Sequence, residues 1–547
     1  MKALKQQQGV MDSQYEWVSN MNAKTIKWLF LLLTMISCQN QLEDRYLSPD
    51  KNESPTIDKL FTRMLDDNRV RPSYWEVSTI VNWHIGIYSQ TVGYLNNEFV
   101  YQQNDQYVQE RWNDFYRPSS NGAGVVAHYR EMEKIFNTLS ETDKDQWRIF
   151  MEAGKIILSD HAADMVDLWG DIPFSQAGLL NETGAVVYPD FDEDFKVYAQ
   201  IITDLAVATE FLATHSMTDA VKSLFAQQDI LLHGNTQMWQ RYGNALRLRL
   251  LMRTSNVDEA TARVQVLDML SDPKKYPLST DDQYEPGVND VLLSPLTTYT
   301  DDLHAAFTDW TNYPAPYYLL ERVMKPVDDP RIPVMFDKYG LSAGTTFIAN
   351  DDYRAMPWNA DRIQQQSNLG NYAILDSVTF LLNSQLPGVV MTAAEVDFLK
   401  AEVFERWGGG DAALAYEQGL RHSISFYFHL NHLNTFASRK LSPPSEQTIA
   451  TFLQRPGVHY GGSQSDRLNL IYTQKWAHFS FLQSIDAWSE LRRTNQPEIE
   501  FLPAPLSGFE LPPSRLDYPT SEKTFNPNYT KVKGKDRRTG KIFWDID

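Results

Sequence analysis

The 547-residue chain contains a single cysteine, Cys38, so no internal disulfide can form. Long apolar runs are missing as well. The one candidate, Trp28 to Ile36, is interrupted by Thr34 and is about half of the roughly 20 residues that a helix needs to cross a bilayer. Positive charge is scarce: 50 Lys and Arg face 70 Asp and Glu, which leaves a formal charge of −20. That balance argues against nucleic acid, whose phosphates require a basic surface, and against broad adsorption to anionic lipid. Catalytic signatures are absent too. There is no H-E-x-x-H, no G-x-S-x-G, no Walker loop and no cysteine nucleophile. His161 and Asp164 share a helix face, and the histidine reads as a partly buried, hydrogen-bonded side chain. Asp281, Asp282, Glu285 and Asp290 carry oxygen ligands that suit calcium, but without EF-hand spacing they read as a solvated turn. The sequence therefore assigns no catalytic residue, metal or cofactor.

What is present begins with the N-terminal stretch. Lys24 and Lys27 precede the apolar run, and Ser37 is a small residue just before Cys38. This is the order of a secretory signal: charged start, short apolar centre, small residue at the cut. The unpaired thiol at that cut reads as the acylated N-terminus of a bacterial lipoprotein. Met35-Ile36-Ser37-Cys38 looks like a lipobox, with Met in place of the usual Leu. The polar residues 1–20 fit no targeting signal, so Met21 is the expected start. Residues 1–37 are then the signal peptide and 38–53 a polar leash. Residues 54–547 form one domain, with a variable insertion at about 271–390.

Helical periodicity dominates that domain, and the expected fold is all-α. Apolar residues recur at helical spacing over 57–64, 125–139, 147–169, 191–212 and 238–253. Between Trp83 and Trp112 the pattern is irregular and rich in aromatics. The insertion carries scattered Pro, Gly and Asp and reads as loops with some strand. Thr392 and Glu395 suggest a capping box that opens a helix to Trp407. Gly408 to Gly410 turn the chain, and Asp411 is placed to cap a second helix to about Phe428. A last long helix is expected from Asp466 to Leu491, and a proline-rich tail should wrap the surface.

Aromatics make up 12% of the chain, with 14 Trp and 27 Tyr. Rings outside the strongest helices can offer flat apolar platforms to a ligand. Trp75, Trp83 and Trp112 in the early segment, with Trp310, Tyr313, Tyr353 and Trp358 in the insertion, are the candidate binding residues. Trp310 is the first choice, because Asp309 and Asn312 beside it could hydrogen-bond hydroxyls.

Several segments, in order, resemble the SusD/RagB family of outer-membrane nutrient-binding lipoproteins, in its SusD-like branch. They are Asp171-Ile172-Pro173-Phe174-Ser175-Gln176-Ala177, then Gly234 and Trp239 with Asn244 to Leu250, then Asp329-Pro330-Arg331. Ala393-Ala394-Glu395 with Phe398-Leu399 and Ala401-Glu402 follows, then Lys475-Trp476, Trp488, Arg492-Arg493 and Pro497, and last Arg515-Leu516 with Tyr518-Pro519, Glu522 and Asn526. Asn235 departs from the usual Asp. The resemblance implies tetratricopeptide-like helix pairs packed on a loop-rich ligand region, no enzymatic activity and no cofactor. It also implies a SusC-like, TonB-dependent outer-membrane transporter as partner, and an oligosaccharide or peptide as ligand. The membrane contact it implies is outer-membrane lipid, through the acylated Cys38. A surface glycan hydrolase is the alternative from another class, and it would need two converging carboxylates in one cleft.

Overall fold

The chain builds its core from amphipathic helices whose apolar faces match the spacing in the sequence. In a computed structural model, residues 55–118, 123–179, 187–295, 305–306, 314–343, 346–435 and 440–546 are described. The expected signal peptide, Cys38 and the expected leash lie outside them. Residues 57–547 form one compact unit.

Helix α1 (Ile57–Leu65) buries Ile57, Phe61, Met64 and Leu65. Helices α2 (Glu76–Ile85), α3 (Asp105–Tyr116) and α4 (Val125–Asn137) follow. The long α5 (Glu141–Trp169) starts at Ser140, whose hydroxyl accepts from the Asp143 N–H, and stops at Gly170 with φ +76°. Next come α6 (Asp194–Thr214), α7 (Thr236–Thr254) and α8 (Glu259–Ser271). Then α5 packs on α6 and α6 on α7, a run of helix pairs. The insertion contributes short antiparallel ribbons: β1 (Val291–Leu293), β2 (Phe336–Asp337), β3 (Gly340–Ala343), β4 (Thr346–Ala349), β5 (Ile374–Leu375) and β6 (Gly388–Met391). They pair as β1 with β6, β2 with β5 and β3 with β4. Helices α9 (Ala393–Trp407) and α10 (Ala412–Leu433) form the expected hairpin, joined by left-handed Gly408 and Gly409 and capped by Asp411. Helices α11 (Gln464–Phe479) and α12 (Ser484–Thr494) follow, with α9 packed against α11.

Three local expectations change. The early aromatic segment is helical at its two ends, over 76–88 and 105–116, and irregular only between them. Helix α2 is π-helical, so its buried residues miss the 3.6-residue repeat. Helix α3 keeps that repeat in Val108, Arg111, Trp112 and Phe115, but Arg111 hides it. The expected single helix 466–491 breaks at Ser480, where φ is +47°. The break lets α12 turn Asp486, Glu490 and Arg493 inward. Finally, Thr392 caps the Glu395 N–H, but the Glu395 carboxylate does not return the bond. It takes Arg249 instead, at 2.5 and 2.7 Å, and Asp290 accepts from the Ala393 N–H at 2.8 Å.

Most buried charge converges between α5, α7, α9, α11 and α12. Arg493 pairs with Glu402 at 2.8 Å and with Glu490 at 2.7 Å, and Lys475 reaches Glu490 at 2.6 Å. Burial alone would raise the Glu402 carboxyl, but Arg493 and Lys475 outweigh it and hold the group at about 2, against an ordinary 4.5.

Two outcomes follow. Trp476 is fully buried and its Nε1 donates to the Ser89 carbonyl at 2.9 Å. Trp476→Ala should therefore lower the unfolding free energy by about 3–5 kcal/mol in urea denaturation, and a loss below about 1 kcal/mol would place this ring outside the core. Glu402 is depressed in the fold, so its contribution is full above pH 4.5 and is lost as pH falls towards 2. Stability measured across that window should slope less in Glu402→Gln, and an identical slope would show that the fold does not depress the Glu402 carboxyl.

Candidate functional site

The site starts where the chain leaves α2. Gln90 takes a left-handed φ of +56° just after Ser89, whose carbonyl is fixed to Trp476. The Gln90 Nε2 donates to the Ile87 carbonyl and to the Tyr94 hydroxyl, both at 3.0 Å. Gly93 then passes the insertion so closely that a β-carbon would lie 1.7 Å from the Pro314 carbonyl oxygen. No other residue fits there without moving one backbone. Asn96 ties down the opposite wall. Its N–H donates to Gln365 Oε1 at 2.6 Å, and its Nδ2 donates to the carbonyls of Trp358 and Ala360, both at 2.7 Å. Behind the cleft the Tyr318 hydroxyl donates to the Glu500 carbonyl at 2.9 Å and accepts from the Glu500 N–H at 2.7 Å.

These contacts bring segments distant in sequence into one groove. Val92, Tyr94, Tyr317, Met356 and Trp358 line it, with Gln90 and Gln365 supplying carboxamides. No lining side chain carries a charge. The enclosed space is about 10 Å³, room for about one water, so a larger ligand would lie across the mouth. Trp358 is half-buried, 6.2 Å from the Tyr318 ring and tilted by 42°. Burial pushes the Tyr94 hydroxyl above its ordinary pKa, so it stays protonated at neutral pH. Rings and amides without acids or bases can stack and hydrogen-bond.

The structure separates the residues picked out by sequence. Trp358 lines the groove. Trp310 and Tyr313 lie outside the described residues, just before Pro314 in the groove wall. Tyr353 does not line it; the Lys338 ammonium sits 5.3 Å from its ring centre. Trp75 and Trp83 are 46% and 55% exposed at the start and within α2, edge-on to Tyr74 and Tyr107, and neither lines the groove. Trp112 is a correction. It is 2% exposed, and Trp169, Tyr116 and Tyr518 surround it at 5.1 to 5.8 Å. Both faces are spent on the core because α3 turns it inward with Val108 and Phe115. Sequence reasoning passed over Gln90, Gly93 and Gln365; a glycine directly before Tyr94 was the one available signal.

Carboxylates also meet at a separate cavity of about 60 Å³ beside α2, where Glu76 and Asp164 are both raised to about 7 by burial. Arg111 Nε lies 3.2 Å from Glu76 and Arg69 Nε lies 3.0 Å from Asp164. Each acid thus faces a guanidinium, not an open reacting position. His161 is buried 3.3 Å from Asp67, and burial lowers its pKa well below the usual imidazole range. In the acidic turn, Asp290 accepts from Tyr284 and the Gly287 N–H, each at 3.0 Å. Asp281 accepts from the Leu278 N–H at 2.7 Å and Asp282 pairs with Arg241. Asp281, Asp282 and Glu285 are exposed, as the solvated reading expects, and of the four Asp290 alone is buried. Among the described residues no group of three or more His, Cys, Asp or Glu could hold a metal ion.

Fold and groove together define a helical-repeat protein that carries an uncharged, aromatic-lined cleft on its loop side. Comparison with known proteins makes the assignment specific. The chain belongs to the SusD-like family described as starch-binding and associating with the outer membrane, whose profile matches residues 50–519. A solved chitin-binding protein is 21% identical with a TM-score of 0.70, over 90% of this chain and 99% of that one. A chitin-binding SusD homolog from Flavobacterium johnsoniae is 22% identical with a TM-score of 0.66, over 90% and 99%. A SusD homolog from Bacteroides uniformis is 19% identical with a TM-score of 0.66, over 90% and 100%. At these identities the likeness is one of fold. No curated protein sequence matches significantly.

Proposed function

We propose that this chain is a non-enzymatic, cell-surface lipoprotein that captures oligosaccharide and passes it to a SusC-like, TonB-dependent transporter. The observation that carries the reading is the groove between residues 90–96, 314–317 and 356–365. Trp358, Tyr94 and Tyr317 offer rings on which a pyranose can stack, and Gln90 and Gln365 bring carboxamides suited to neutral hydroxyls. The absence of charge among the lining residues favours a neutral glycan over an ionised peptide. The family description and the chitin-binding relatives support the same class of ligand. Trp310 and Tyr313, next to Pro314 in sequence, would extend the platform. Trp75 and Trp83 are exposed enough to serve longer chains.

Attachment follows from Cys38, acylated after removal of residues 1–37, with residues 38–53 as leash. No helix among the described residues is long and apolar enough to cross a membrane, so the lipid is the anchor in this reading.

Two experiments test it. Calorimetry with chito- and malto-oligosaccharides should show saturable binding by at least one series. Trp358→Ala should weaken it about tenfold, since one ring face is worth about 1–2 kcal/mol, while the melting temperature stays close to wild type. Unchanged affinity, or new reducing ends during incubation, would defeat the reading. In cells, Cys38→Ala should release the protein from the outer-membrane fraction in a strain lacking the transporter. Retention there would rule out the lipid anchor.

A further inference from the structure

The C-terminal segment inverts the charge of the molecule. A chain of net −20 places Lys531, Lys533, Lys535, Arg537, Arg538 and Lys541 within eleven residues, against one acid, Asp536. This segment closes over a cavity of about 460 Å³ lined by Lys535, Arg537, Lys541 and Arg515 together with Asp171 and Asp194. Both acids are already committed. Asp171 pairs with Lys535 at 2.6 Å and accepts from the Asp194 N–H at 3.0 Å. Asp194 accepts from the Phe543 N–H at 3.0 Å and from the Phe195 N–H at 2.9 Å. Lys541 pairs with Asp545 at 3.3 Å.

Of the guanidiniums that line the cavity, Arg515 and Arg537, neither is in an ion pair among the described residues. Arg537 is exposed. Arg515 is 2% exposed, stacks 4.6 Å from the Tyr518 ring centre and donates Nε to the Leu516 carbonyl at 3.2 Å, while its Nη2 has no hydrogen-bond partner. A buried guanidinium with an unfilled N–H is costly unless an acceptor reaches it. Fixed N–H forks and ammonium groups around one space match a tetrahedral oxyanion.

We propose that this cavity binds a phosphate or sulfate group, held by Arg515 and Arg537 with Lys535 and Lys541 adding charge. The group comes either on a small ester or on a lipid headgroup; the site is separate from the aromatic groove.

The test uses the full chain bearing Cys38→Ala, so that no acyl anchor contributes. Calorimetry at low ionic strength with inorganic phosphate and sulfate should give saturable binding. Arg515→Gln should weaken it about tenfold, in line with a charge-assisted bond lost. Because Arg515 is buried, the exposed double variant Arg537→Ala, Lys541→Ala is the second arm. It should weaken binding about fivefold with an unchanged melting temperature. Flotation with phosphatidylcholine vesicles, with and without phosphatidylglycerol, separates the sources. Flotation only with the anionic vesicles, lost in the double variant, assigns a headgroup; soluble binding without flotation assigns a small ester. No saturable binding in either format, or binding that the double variant leaves intact, would overturn the proposal.

Discussion

Buried charge is the constraint on which this fold turns. Asp486 sits at the centre, 3.4 Å from Arg253, 3.5 Å from Arg249 and 3.8 Å from Arg69. Burial alone would lift its carboxyl, yet the three guanidiniums outweigh burial and keep it ionised. Through Glu490, Lys475, Arg493 and Glu402 the pairing continues into α9 and α11. Such a network is not a simple gain. Desolvation offsets most of the attraction, but removing one member leaves a buried unpaired charge and costs about 3–5 kcal/mol. Its effect is to allow one register only. Any sliding of α7, α9 or α12 past its neighbours would strand a charge in an apolar interior.

That network also explains why the short sequence matches to the family were informative. Arg249, Glu395, Glu402, Lys475 and Arg493 lie in separate stretches of the chain, and in the structure they meet. They are scaffold residues, silent about ligand. The same view clarifies Glu395. From sequence it belongs to a helix cap, because Thr392 precedes it by three residues. The buried Arg249 competes for the same carboxylate and wins, since a buried guanidinium left without an acceptor is costly.

Most long helices were legible because their apolar faces repeat every three or four residues. Helix α2 was not, because a π-helix sets a wider repeat and also buries Glu76 and His84. The break at Ser480 was hidden for the opposite reason: apolar residues continue at helical spacing across it. For the groove, composition pointed to aromatic rings but not to their orientation. Trp112 and Trp358 look alike in sequence. One lies on the inward stripe of α3, and the other is held at the rim by Asn96 from a distant segment. Only non-local contacts distinguish them, and a linear reading has no access to those.

The close passage of Gly93 beneath Pro314 has an evolutionary consequence. With the backbones in contact, neither loop can vary alone. A side chain at position 93 would push the insertion outward and open the groove, and a shortened insertion would leave the glycine without its reason. Among descendants of this chain, ligand preference should therefore shift by coordinated replacement of the two loops, while the helices beneath them drift independently.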